Sequence, residues 1–265
     1  MTRRRWIQSA GLGLAWVPAT ASAAGSSFPT SISATPKRAF RTPGPHPNGL
    51  QASPEGLWVL DQQTNRASLV RFEDGSVIRE FATETDRGSG ITVEGAALWI
   101  ASTYNRLLVK VDARTGKTLK ELPSPGSGFV KWSRPGPKAT PTGAHGLEYR
   151  NGELWVSVPP SATIYAVNPD GGAVLRSFPA PGIRPHGLGW DPDGSLWCAE
   201  TNLRSFFKMS PKTGKILRQL MLPFTEPQAE GVVLAPHGMT IWRREIWFSV
   251  AETGEIYRMA AKLLT

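Results

Sequence analysis

Five short segments of this 265-residue chain run into a glycine followed by Leu, Ile or Met, and three of them place a histidine just before that glycine. They read PNGL with Asn48, GSGI with Ser89, AHGL with His145, PHGL with His186 and PHGM with His237. The chain has four histidines in all, and the fourth, His46, lies two residues before Asn48. Imidazoles converging from equivalent positions offer a divalent transition metal three nitrogens and leave a position open for water or substrate. His145, His186 and His237 are therefore candidate ligands for zinc, iron or magnesium. Duplication of a Pro-His-Gly turn whose histidines bond backbone carbonyls would leave the same pattern. The glycine permits the close backbone approach that a crowded axis requires.

What could bring equivalent positions together is a repeat. Arg184 to Leu220 reads as four short strands: Leu188 to Trp190, Ser195 to Ala199, Phe206 to Ser210 and Ile216 to Leu220. Asp191-Pro192-Asp193-Gly194 and Pro211-Lys212-Thr213-Gly214 supply turns. A four-stranded meander of about 40 residues cannot bury both faces alone, so copies stack around an axis as a β-propeller. Leu57-Trp58, Leu98-Trp99, Leu154-Trp155, Leu196-Trp197 and Ile246-Trp247 open five second strands, at spacings of 41, 56, 42 and 50 residues. Their apolar runs suit strands packed on both faces. Fourth strands recur at Arg79-Glu80-Phe81, Lys120-Glu121-Leu122, Arg176-Ser177-Phe178 and Arg218-Gln219-Leu220, which is one too few.

Arg38-Ala39-Phe40 has the same basic-x-apolar pattern ahead of the first blade, and the last blade stops after its third strand, Glu255 to Met259. The expectation is an all-β, five-bladed β-propeller over residues 36–262, closed by this N-terminal strand so that no open edge is left. The alternatives are six blades, or a last blade left unpaired behind a leader.

Residues 1–23 read as a twin-arginine-type export signal: Arg3-Arg4-Arg5-Trp6-Ile7, a short apolar stretch, then Ala21-Ser22-Ala23. The run is too short to span a bilayer in the mature protein, which places the product in the periplasm or outside the cell. Residues 24–35 read as a flexible leader. Thirty basic residues against 21 acidic give a formal charge of +9, but the basic residues are spread over all blades, a solvated rim and no nucleic-acid footprint. Cys198 is the only cysteine, so no intrachain disulfide forms.

The start of a first strand and the end of a second emerge on the same propeller face. That loop face also receives Asp61, Ser102 with Tyr104, Glu200 and Glu252. Glu200, and Tyr104 beside it in role, are candidate proton carriers; the plainer reading of Glu200 is a solvated carboxylate paired with Arg204. Trp132, Arg184 and Arg204, with Arg106, are candidates to clamp an anionic or aromatic ligand. The long insertion from Pro123 to Thr142 carries Phe129, Val130 and Trp132, apolar residues suited to a lid.

The unit PHGLGWDPDGSLWCAETNLRSFFKMSPKTGKI resembles that of virginiamycin B lyase and related NHL-type and gluconolactonase-like propellers, over nearly the whole mature chain. The resemblance implies a metal-dependent enzyme with glutamates and histidines around its channel, matched here by Glu200, His186 and His237. The peptide-amidating lyase propellers are similar in holding zinc through three histidines from separate blades. Five-bladed glutaminyl cyclases match the blade count, but Ser89 stands where their Gly-Glu-Gly-Ile-like segment is acidic, which disfavours cyclase activity. The expected function is an exported, metal-assisted lyase or hydrolase of a small molecule or modified peptide bound on the loop face. The alternative is a non-catalytic propeller that binds a ligand or protein.

Overall fold

A computed structural model describes residues 28–223 and 234–261; the expected export signal lies outside the described residues. Twenty-one strands form five sheets, and no helix occurs among the described residues. Blade 1 comprises Pro47–Ser53, Gly56–Asp61, Arg66–Val70 and Val77–Ala82. Blade 2 comprises Gly88–Glu94, Ala97–Ser102, Leu107–Asp112 and Thr118–Pro123. Blade 3 is built from Gly146–Arg150, Glu153–Val158, Thr163–Val167 and Val174–Pro179. Blade 4 takes Pro185–Trp190, Leu196–Glu200, Ser205–Met209 and Ile216–Met221, and blade 5 Met239–Trp242, Glu245–Val250 and Glu255–Ala260. The fourth strand of blade 5 is Lys37–Arg41, antiparallel to Glu255–Ala260. The protein is thus a five-bladed propeller closed by its N-terminal strand, and the six-bladed alternative does not hold.

The middle of each second strand is apolar because it lies between two blades. Five buried clusters result, one at each blade boundary. Trp58, Leu60 and Leu69 of blade 1 meet Ile91, Leu98 and Ile100 of blade 2. The boundary that closes the ring joins Phe40, Trp247 and Ile256 to Leu50, Leu57 and Val59. Burial of this kind, at roughly 25 cal/mol per Å² of apolar surface, is what holds the sheets in a circle.

Within the described part of the expected flexible leader, residues 28–35, Thr30–Ile32 adds a parallel strand to the outer edge of blade 4, pairing with Gln219, Leu220 and Met221. Gln219 N donates to Pro29 O and Ser33 N to Met221 O. An outer strand presents unpaired backbone groups, and this segment satisfies them before the chain crosses to blade 5.

At the hub the glycines meet the neighbouring backbone directly. A Cβ on Gly49 would lie 2.6 Å from Ser89 O, one on Gly238 2.7 Å from Asn48 O, and one on Gly146 would collide with His186 O. The five innermost strands therefore close to a space of only about 10 Å³, room for no more than one water. Below this waist the channel is shut; above it opens a cup.

Candidate functional site

Four of the five residues that precede a hub glycine, Asn48, His145, His186 and His237, line the cup, and Ser89 does not. His145, His186 and His237 are all buried there, drawn from blades 3, 4 and 5. The rings of His145 and His186 are 4.7 Å apart between centroids, and those of His186 and His237 also 4.7 Å. His46 extends the arc at 6.4 Å from His237, and Trp132 ends it at 6.2 Å from His145. The cup has a volume of about 480 Å³ and is lined by these rings with Asn48, Tyr104, Arg184 and Glu252. One wall is the 123–142 insertion, which supplies Phe129, Val130 and Trp132. Backbone pairing of Gly128 with Thr142, and a bond from Lys131 Nζ to Ser161 O, hold that wall against blade 3.

Hydrogen bonds fix two of the tautomers. Thr201 Oγ1 donates to Pro236 O at 2.7 Å, so towards His186 Nδ1 it acts as acceptor. His186 therefore carries its proton on Nδ1 and leaves the Nε2 lone pair free. His237 Nδ1 donates to Ala235 O at 3.2 Å, with the same consequence. His145 has no partner at either ring nitrogen, and Asn48 Oδ1 has none either, although all are buried. Burial, with Arg184 and the neighbouring rings adding to it, lowers the His145 pKa to about 3 and holds His186 well below its usual value. His237 is lowered to about 4, again chiefly by burial. All three are neutral imidazoles at pH 7.

These features suit a metal. Neutral rings, Nδ1 protons given to outer partners and Nε2 lone pairs turned free are the arrangement that ligating histidines adopt. Glu252 Oε1 stands 3.5 Å from His237 Nε2, two acceptors facing each other with room for a cation or donor. The nitrogens are gathered but not converged, for no three His, Cys, Asp or Glu residues among those described already enclose an ion position. Imidazole nitrogens as donors suit zinc or iron better than magnesium, which prefers oxygen ligands.

The other candidates divide. Tyr104, Trp132 and Arg184 line the cup, with the Arg184 guanidinium 5.1 Å over the Trp132 ring. Glu200 does not reach it. Its side chain is fully buried and accepts the backbone N–H groups of Arg184 and Leu203, each at 2.6 Å, so it is neither a proton carrier in the cup nor a solvated partner of Arg204. Arg204 is also displaced. It occupies a left-handed turn position shared with Asn65, Arg106 and Ala162, and its guanidinium bonds Leu234 O and Pro223 O. In its stead Glu252, one of the second-strand exits, is the carboxylate that faces the imidazoles. Cys198 is buried, and burial raises its thiol pKa beyond reach of nucleophilic chemistry.

Fold and hub together define a five-bladed β-propeller with a polar cup on its loop face and a closed waist beneath. No family model matches the chain, and no curated protein does. Among solved structures it is similar to the glutaminyl cyclase of Myxococcus xanthus, with a TM-score of 0.67 and 13% identity over 87% of this chain and 97% of that one. A streptogramin B lyase structure is similar at a TM-score of 0.51 and 15% identity, over 84% and 96% of the two chains. The virginiamycin B lyase of Staphylococcus aureus gives 0.49 and 19%, over 83% and 71%. At these identities the likeness is one of fold, since a propeller hosts many chemistries.

Proposed function

We propose that the cup is the active site of an exported, metal-assisted lyase or hydrolase acting on a small molecule or modified peptide, in the periplasm or outside the cell. The observation that carries this reading is the arc of His145, His186 and His237, neutral, each ring beside the next, with His186 and His237 carrying their protons on Nδ1. They would hold zinc or iron, which when bound polarises a carbonyl or acidifies a water. Glu252 is placed to take a proton at its Oε1, and Tyr104 to give or take one across the cup. Trp132 and the insertion behind it cover one side and exclude water from bound substrate. With a waist of about 10 Å³ beneath it, the cup is entered from the loop face among the described residues.

The second reading, a non-catalytic propeller that binds a ligand on the same face, is favoured by one contact. Arg184 Nη2 lies 3.5 Å from His237 Nε2, where a guanidinium competes with a metal for the lone pair. Elemental analysis of protein purified without chelator separates the two. The enzymatic reading expects close to one zinc or iron per chain in the wild type and loss of it in His186→Ala. Wild-type protein devoid of metal, and unable to take it up, leaves the binding module.

A further inference from the structure

Glu252 and Glu200 attract Arg184 without closing an ion pair on its guanidinium, so the charge inside the cup is only partly balanced by the described residues. Arg184 is largely desolvated, and burial lowers its pKa. Among the described residues no carboxylate lies within ion-pairing distance of its guanidinium. Its contacts there are a 3.3 Å bond from Nη1 to Asn202 Oδ1 and the long approach of Nη2 to His237 Nε2. Its Nε is buried with no partner. A buried cation left with unused donors is costly and persists where something else supplies the counter-charge.

The position is held deliberately. Glu200 fixes the Arg184 backbone from below, and the Trp132 ring fixes the guanidinium from the side, while Arg184 lines the cup. Three of the surrounding imidazoles are neutral and Lys138 also lines the cavity, so cations outweigh its single described carboxylate, Glu252. Beside this polar corner the lining is apolar: Phe129, half exposed on the insertion, with Val130 and Trp132.

We propose that the cup is shaped for a ligand that carries a carboxylate on an apolar or aromatic body, the carboxylate paired with Arg184 and the body laid against Trp132 and Phe129. This rests on the reading of the cup as a ligand site and is independent of whether a metal is bound. A planar carboxylate takes two parallel N–H bonds from a guanidinium fork, which a neutral carbonyl group cannot match. Such a group comes either from a simple aryl acid or from the C-terminus of a short peptide.

Isothermal titration calorimetry on the full chain, with and without chelator, tests this. The probes are phenylacetate against phenylacetamide, and N-acetylphenylalanine against its amide. In the wild type each carboxylate should bind about tenfold or more tighter than its amide, and the stronger of the two carboxylates identifies the source. Arg184→Gln should bring acid and amide to parity, and Arg184→Lys should restore only part of the preference. The comparison between probes needs no variant, so a folding defect cannot mask it. Parity of acid and amide in the wild type, or a preference kept in a folded Arg184→Gln protein, overturns the proposal. If the preference survives chelation while no metal is ever found, the anion site stands and the metal reading falls; if metal binds and the preference is absent, the reverse holds.

Discussion

Blades 1 and 2 and blades 3 to 5 share one hub backbone and differ in what they set upon it. The glycines that let the strands close are common to all five blades. The residue before each glycine is Asn48 or Ser89 in the first sector and histidine in the second. Ser89 spends its hydroxyl on Gln62 Nε2 at 3.1 Å, a bond of ordinary structural kind, whereas His145 keeps both nitrogens unpartnered in a buried place. Repetition of a turn accounts for the backbone in both sectors. It does not account for the buried polar groups left unpaired among the described residues, the His145 ring in one sector and Asn48 Oδ1 in the other, nor for the insertion that brings Trp132 beside His145.

Strand exits show the opposite: here the two sectors do the same work. Asp61 ends the second strand of blade 1 and accepts His46 N, Gln63 N and Thr64 N. Glu200 ends that of blade 4 and accepts Arg184 N and Leu203 N. In each case a buried carboxylate clamps the chain as it enters its blade. Glu200→Ala should therefore cost about 3–5 kcal/mol, since two buried N–H groups lose a charged acceptor, and Asp61→Ala should cost a similar amount. Urea denaturation measures both. A large loss for one and none for the other would show that the sectors differ here too.

One layer below the histidines the sectors are joined. Thr92 accepts Tyr149 N and Thr240 accepts Ala52 N, each side chain holding the next blade. Glu148 fills the corresponding place in blade 3, next to Gln51 of blade 1 and bonded by Trp190 N, and burial pushes its carboxyl up to about 8. The folded state then binds the proton that the unfolded chain releases near 4.5, so this contribution to stability is full below pH 4.5 and is lost as pH rises through about 8. Glu148→Gln removes the titration. Denaturation at pH 5 and pH 8 should show the variant gaining on the wild type at the higher pH by about 3–4 kcal/mol. An unchanged difference between the two would mean that Glu148 is ionised throughout.

The smallest effect belongs to the first sector. Ser89→Ala loses one hydrogen bond and should cost about 1 kcal/mol, with metal content unaltered; a drop in metal content would make the ring of five one functional unit.

Much of this was legible from residue types. The Leu-Trp or Ile-Trp pair and the turn signals recur in every blade, so blade number, strand order and the closing role of Arg38-Ala39-Phe40 follow from counting. The histidines were legible for the same reason, because a closed ring turns equal positions along the chain into neighbours in space. Glu252 was placed on the loop face but given no role, and the places of Glu200 and Arg204 were not legible. These residues end or follow second strands, and whether such a side chain folds under its own turn or out over the hub depends on turn geometry that residue identity does not encode. The one available hint was Asp61, an acid in the same place as Glu200 and likewise followed by a polar turn. The added strand at Thr30–Ile32 was hidden because its few residues carry no alternation to read.

Anomalous diffraction at the zinc edge, from crystals of the full chain grown with zinc, tests the central claim most directly. The account expects a single strong peak at the floor of the cup, bounded by His145, His186 and His237 and absent from His186→Ala crystals. A zinc-exposed crystal with no peak among these three rings, or with its peak elsewhere, would contradict it.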